Sequence, residues 1–162
     1  MATNDSSVSL WKENLKLKAA GFLKIPMIFY VGAKIVHLDQ TTMKVKIPFK
    51  RRTKNHLNCM YFGAICVGAD VAGGFLAMHH ISGRKERVQL LFKSMDVKFL
   101  KRIEGDALFV CDDGVLIQDM VEQAAKSKER VTKALTVNVL VPSKLGDEPA
   151  AVCKVELSLK VK

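Results

Sequence analysis

Hydrophobic and polar positions follow two different periods along this chain, and the switches between them mark out its elements. Over residues 8 to 23, Val8, Leu10, Trp11, Leu15, Leu17 and Phe22 recur at mostly helical spacing, with Ser7 as the expected cap and Gly21 as the expected stop. This predicts an amphipathic N-terminal helical segment within residues 1–25. From Met27 to Phe49 the residues alternate or are β-branched and aromatic: Ile28, Tyr30, Val36 and Leu38, then Met43, Val45 and Ile47 against Lys44 and Lys46. His37 to Thr42 supplies turn formers, so a β-hairpin with one solvated face is expected there. After a polar stretch, Arg51 to Asn58, comes the longest apolar run of the chain, which predicts a central helix over residues 59–81 with Gly83 beyond its end. A run of about 20 residues is long enough to span a membrane. Asp70 near its midpoint and His79 and His80 at its end argue against that, because charge in hydrocarbon is costly. A helix apolar on all sides and wrapped by protein is the expectation.

Alternation returns from Val88 to Lys101, with Leu90, Phe92, Met95, Val97 and Phe99 against Lys93, Asp96 and Lys98, and predicts a strand carrying a bulge. Gly105 and Asp106 form a turn and Ala107 to Cys111 a short strand. Asp112 and Asp113 are placed to cap a helix that carries Val115, Leu116, Met120, Val121 and Ala124. Two further strands follow, Val131 to Val141 and Ala151 to Val161. The order of helix, two strands, long buried helix and then mostly strands reads as α+β with an antiparallel sheet. One curved sheet sheathing one helix is the simplest way to cover so apolar a segment.

Composition narrows the class. At 162 residues one domain over 1–162 is expected, and a hydrophobic fraction of 49% with 26% charged residues excludes a disordered or collagen-like chain. The cysteines at 59, 66, 111 and 153 form no CxxC pair, which fits reduced thiols in a cytoplasmic protein and gives no metal site. No basic segment followed by an apolar one opens the chain, so no secretory signal is expected. The net charge of +10 favours an anionic partner without saying which. Part of it is concentrated at Lys50, Arg51, Arg52 and Lys54, whose plain reading is a solvated loop.

The segment Asn55-His56-Leu57-Asn58-Cys59-Met60-Tyr61-Phe62-Gly63-Ala64, followed by Asp70-Val71-Ala72-Gly73-Gly74, resembles the hot-dog thioesterases, and most of all the branch related to phenylacetate-pathway thioesterases and their bacterial relatives. That family opens its central helix with an Asn, a short gap, a His-Gly-Gly-like triplet and then an Asp or Glu seven residues past the last Gly. Tyr61-Phe62-Gly63 stands in the triplet and Asp70 at the acidic position. Tyr61 replaces the His, Phe62 the middle Gly, and Asn58 a common Gly, changes that would narrow an acyl pocket. The resemblance covers roughly Met27 to Val161 and implies a hot-dog fold, a homodimer or dimer of dimers, and hydrolysis of an acyl-CoA or acyl-carrier thioester, with coenzyme A present only as part of the substrate. It implies that Asn55, Gly63 and Asp70 are catalytic, that Asn58, Tyr61 and Phe62 contact substrate, and that Arg51, Arg52 and Lys54 lie where the CoA nucleotide would run.

Chemistry supports those roles. Thioester hydrolysis builds negative charge on the carbonyl oxygen, which the unpaired amides of a helix N-terminus are suited to hold. A carboxylate then attacks the thioester or deprotonates water, and burial raises its pKa toward the working range of a base. Asp70 is the sole carboxylate of the helix. Seven residues separate it from Gly63 by roughly 10.5 Å along the axis, too far to grip one carbonyl from a single chain. In the resembled family the carboxylate comes from the neighbouring subunit, and a shared site is expected here. The plainer readings are a buried Asp70 bonded to backbone or to a cation, Asn55 and Asn58 as caps, and the helix glycines as close-packing positions.

GxSxG, GxxxxGK[ST] and HExxH are all missing, which argues against a serine hydrolase, a P-loop enzyme and a zinc protease. Two rivals stay open. One is a hot-dog hydratase or dehydratase on acyl thioesters, which would want a His beside the carboxylate. The other is a non-catalytic module binding acyl chains or nucleic acid; the lack of interleaved aromatic and basic residues speaks against nucleic acid.

Overall fold

The computed structural model describes residues 9–162. Helix α1 (Leu10–Leu23) follows Ser9 as its cap position, so the expected Ser7 cap lies outside the described residues. Gly21 does not stop this helix; it is buried against α2 (Pro26–Val31), where a Cβ would come within 2.9 Å of the Phe29 amide nitrogen. The expected strand character of Met27 to Val31 is overturned. Pro26 at the first turn sets a helical φ, and Gly32 at φ 69° ends that short helix in the left-handed region. The hairpin is confined to β1 (Lys34–Leu38) and β2 (Met43–Ile47).

Six strands form one antiparallel sheet in the order β1-β2-β4-β5-β6-β3, with β3 spanning Val88–Phe99, β4 Ala107–Cys111, β5 Val131–Leu140 and β6 Pro149–Val161. The bulge expected in β3 falls between Phe92 and Ser94. Helix α3 (Phe62–Ile81) is packed against β2, β4, β5 and β6, and ten of its residues are buried. This is the hot-dog arrangement, a curved sheet around a central helix. The helix starts three residues later than the apolar run suggested, because Cys59, Met60 and Tyr61 belong to an ordered loop. Helix α4 (Gly114–Ser127) begins after Asp113, but the aspartates do not cap it through their side chains. Asp113 instead accepts from the Thr136 amide at 2.6 Å, and Asp112 from the Thr42 hydroxyl at 2.8 Å. A short α5 (Pro142–Leu145) lies in the loop between β5 and β6.

Helix and sheet approach each other closely in the core. A Cβ on Gly68 of α3 would lie 2.3 Å from the ring of Phe109, a fully buried residue of β4. Glycine at this position lets the helix axis settle onto the ring.

The two edges of the sheet differ. At β1, the Asn14 side chain of α1 bonds to Ile35 as a neighbouring strand would: Nδ2 donates to the Ile35 carbonyl at 2.8 Å, and the Ile35 amide donates to Oδ1 at 2.9 Å. At the other end β3 pairs along its length with β6 alone, which leaves the far side of a twelve-residue strand without a partner among the described residues.

Candidate active site

The tip of α3 is held by a loop whose polar groups are closely accounted for. Thr53, fully buried in a 3₁₀ turn over Arg51–Thr53, contacts the Pro48 and Lys50 carbonyls through its hydroxyl at 2.7 and 3.0 Å and accepts from the Lys50 amide at 3.0 Å. The Thr53 carbonyl receives the Tyr61 amide at 2.9 Å, and the Ile103 carbonyl receives that of Met60 at 2.8 Å. Asn55 closes the loop between them. Its Oδ1 accepts from the Leu57 amide at 2.9 Å and the Cys59 amide at 3.2 Å, and its Nδ2 donates to the Cys59 sulfur at 3.2 Å. Asn58 sits at φ 57°, the left-handed conformation that Asn tolerates better than most residues.

Thr53 carried no sequence signature, yet it joins the basic turn to the helix start. Thr53→Val is expected to lower stability by about 1–3 kcal/mol, because the Pro48 and Lys50 carbonyls lose their hydroxyl contact and the Lys50 amide loses one of its two acceptors. A fall in the urea midpoint at unchanged slope would check this.

Tyr61 occupies the N-cap without a side-chain cap bond, and its carbonyl takes the amides of Ala64 at 2.9 Å and Ile65 at 3.3 Å. The Phe62 and Gly63 amides have no acceptor among the described residues. Two donors therefore stand bare at the positive end of a twenty-residue helix. Two exposed aromatic rings screen them. The Tyr61 ring lies back over Gly63, 2.5 Å from where a Cβ would be, and contacts Phe62 with ring centres 4.8 Å apart.

Asp70 lies two turns further on, along the part of α3 that the sheet leaves half-covered, a stripe running through Gly63, Cys66, Val67 and Asp70. Gly74 below it keeps the space open, since a Cβ there would meet the Phe92 ring of β3 at 3.3 Å and the Asp70 carboxylate at 3.6 Å. Asp70 makes no hydrogen bond or ion pair among the described residues, to backbone or to a cation. No fully buried side-chain polar atom lacks a partner among those residues, so its oxygens still reach solvent. Burial raises its pKa above the ordinary 3.8. Cys66 shares the stripe, but burial pushes its thiol up as well, which keeps it protonated and weakens it as a nucleophile. Asp70 is the sole acidic group of this stripe.

The basic residues spread apart. Arg52 turns toward α2, its guanidinium 5.9 Å from the Tyr30 ring centre and against Gly32, while Lys54 Nζ lies 4.2 Å over the Phe49 ring. Arg51 is exposed and makes no hydrogen bond or ion pair through its side chain among the described residues. A groove of about 950 Å³ between α1, α2 and β1 is lined by Arg52 but by none of Asn55, Gly63 or Asp70. His79 and His80 tie the end of α3 to the hairpin, with His80 Nε2 at 2.9 Å from the Gln40 carbonyl. Burial lowers the His80 pKa, so the ring stays neutral near pH 7.

Comparison with known proteins adds a family and a fold. Residues 14–159 match the family described as a domain of unknown function, DUF4442. The chain matches no curated protein. Among solved structures it is similar to a protein of unknown function from Pseudomonas aeruginosa described as a probable thioesterase, at 20% identity and a TM-score of 0.76 over 93% of this chain and 96% of that one. It is also similar to a protein of unknown function from Chlorobaculum tepidum, at 12% identity and 0.80 over 98% and 100%. A thioesterase from Haemophilus influenzae matches at 10% identity and 0.65 over 95% and 92%. At such identities the likeness is one of fold.

Proposed function

The chain belongs to the DUF4442 family, and from its bare helix tip and its unpaired, half-buried Asp70 we propose that it hydrolyses an acyl thioester such as an acyl-CoA. The observation that carries the reading is the combination of two free amides, at Phe62 and Gly63, with one carboxylate on the same half-covered stripe of the helix. The amides take the oxyanion, and Asp70, ionised, activates water or attacks the carbonyl carbon. The thioesterases among the structural neighbours are consistent with this chemistry.

Roughly 10.5 Å between Gly63 and Asp70 along the axis requires two chains to build one site. The unpaired edge of β3 offers the means. A twelve-residue edge strand left open invites pairing, and antiparallel pairing with a second copy would extend the sheet. The Phe92 ring of that strand and the Asp70 carboxylate both lie against Gly74, so an interface formed there would bring a second copy toward the carboxylate. Tyr61 and Phe62 form the aromatic wall for the acyl group, and Arg51, Arg52 and Lys54 supply positive charge for the CoA phosphates.

The test is a panel of acyl-CoA substrates of graded chain length, read by release of free thiol, with crotonyl-CoA hydration run beside it. Thiol release with at least one substrate supports the reading, whereas hydration without thiol release points to a hydratase. Site sharing has its own test. Asp70→Asn and Gly63→Asp protomers, each inactive alone, are co-refolded, and about a quarter of wild-type activity is expected to return, because mixed dimers hold one intact site of two. A mixture that stays inactive while mixed dimers form would sink the two-chain site.

A further inference from the structure

Ten of the eighteen large apolar side chains that remain exposed among the described residues lie in one stretch, Leu10 to Val36. Trp11 and Phe22 are 67% and 68% exposed. At 100° per residue, Trp11, Leu15 and Phe22 fall within a sector of about 40° on α1, while the buried Leu17 and Gly21 lie about 140° and about 100° from its centre, on the side packed toward β1 and α2. Helix α1 therefore has a second apolar face that no described residue covers. Phe22 meets Phe29 edge-on at 5.6 Å between ring centres, which joins that face to the exposed side of α2, where Tyr30 is also exposed.

The charges beside this face are of one sign. Lys18 and Lys12 flank the apolar sector of α1, Lys24 follows the last residue of that helix and Lys34 opens β1, against a single acidic residue in the stretch, Glu13. Glu13 sits on the far side of the helix and is paired with Lys16 at 2.7 Å. A face-to-face contact between two copies would set these lysines against their own counterparts, which repels. An anionic surface would attract them all at once.

We propose that the α1–α2 hairpin docks this protein on an anionic lipid surface, with Trp11, Leu15, Phe22 and Phe29 entering the headgroup region and the lysines resting on lipid phosphates. An interfacial helix has this form, an apolar sector with an aromatic anchor and basic residues along its borders. The groove walled by Trp11 and Leu15 lies beside the same face. The inference stands apart from Asp70 and holds whatever reaction the chain performs.

Trp11 is the sole tryptophan, so it reports its own surroundings. The full chain is mixed with vesicles of phosphatidylcholine alone and of phosphatidylcholine with phosphatidylglycerol. Emission should shift to the blue and be quenched by brominated lipid with the anionic vesicles, weakly with neutral ones and less at high salt. Leu15→Glu with Phe22→Glu should cut the bound fraction about tenfold or more. Lys12→Glu with Lys18→Glu should remove the preference for anionic vesicles. Both pairs are surface changes, and circular dichroism checks that the variants fold. The proposal is overturned if the wild-type protein ignores anionic vesicles, or if neither pair alters binding. It is equally overturned if Leu15→Glu with Phe22→Glu lowers the mass of the assembly in vesicle-free solution, which would assign the face to a second copy.

Discussion

Asp70→Asn is expected to lower thioester turnover by about 10²–10⁴-fold while making the protein more stable at neutral pH. The two effects share one cause. Asp70 is half-buried and makes no bond to a donor among the described residues, so its charge is held in a place that disfavours it. A structural aspartate would be bonded, and its loss would destabilise. Here the amide removes a charge and costs no hydrogen bond. The gain should appear as a higher urea midpoint for the variant at pH 7, because Asn has no charge to hold in that half-buried place.

The same cause fixes the pH dependence. Below the ordinary carboxyl pKa of 3.8 Asp70 is neutral whether the chain is folded or not, and wild type and Asp70→Asn should be equally stable. As pH rises from 3.8 to the raised folded-state value, the unfolded chain ionises at Asp70 while the folded protein still holds the proton, so the variant pulls ahead, and its lead is complete above that value. Wild-type activity should rise around the folded-state value itself, where the stability difference levels off, because only the ionised form acts as base or nucleophile. Thermal melts of both proteins across the pH range, beside a pH–rate profile, check this. A variant less stable than wild type at pH 7 would show that Asp70 makes a bond the fold needs.

Gly68→Ala is expected to cost about 3 kcal/mol or more, a large penalty for one methyl group. The added carbon would fall 2.3 to 2.5 Å from three atoms of the Phe109 ring, and that ring is fully buried and has nowhere to turn. Gly63→Ala also meets a ring, that of Tyr61, but an exposed one that can swing away, and should cost far less. Denaturant titration separates the two. Adding Phe109→Leu to Gly68→Ala should recover part of the loss, because the smaller side chain frees the space; no recovery would place the strain elsewhere.

The central helix was legible because no other segment of the chain is so long and so nearly free of polar residues, and Asp70 because a lone carboxylate stands out in such a run. The start of the helix was not. Cys59, Met60 and Tyr61 continue the apolar pattern, and what removes them from the helix is a pair of distant carbonyls, Thr53 and Ile103, that no local pattern announces. Met27 to Val31 misled for a related reason. Its β-branched and aromatic residues suit a strand, yet Pro26 and Gly32 at its ends and the packing of α2 on α1 and α3 make it a helix. The spacing of Gly63 and Asp70 could be read from the sequence, but the bare amides of Phe62 and Gly63, the missing partner of Asp70 and the screening Tyr61 ring became visible only in three dimensions. Thr53 was invisible for a plainer reason: a threonine in a basic run has no signature until its hydroxyl is seen inside the fold.

The contrast between the sheet's two rims sets how far assembly can run. A β-sheet open on both sides is a monomer for polymerisation, since each added molecule presents a fresh rim to the next. Asn14, by answering Ile35 in place of another strand, would act as a chain terminator in any assembly built by adding strands. Joined through their β3 rims, two molecules would carry a terminator at either extremity, and growth would halt at the pair instead of running on into a fibre.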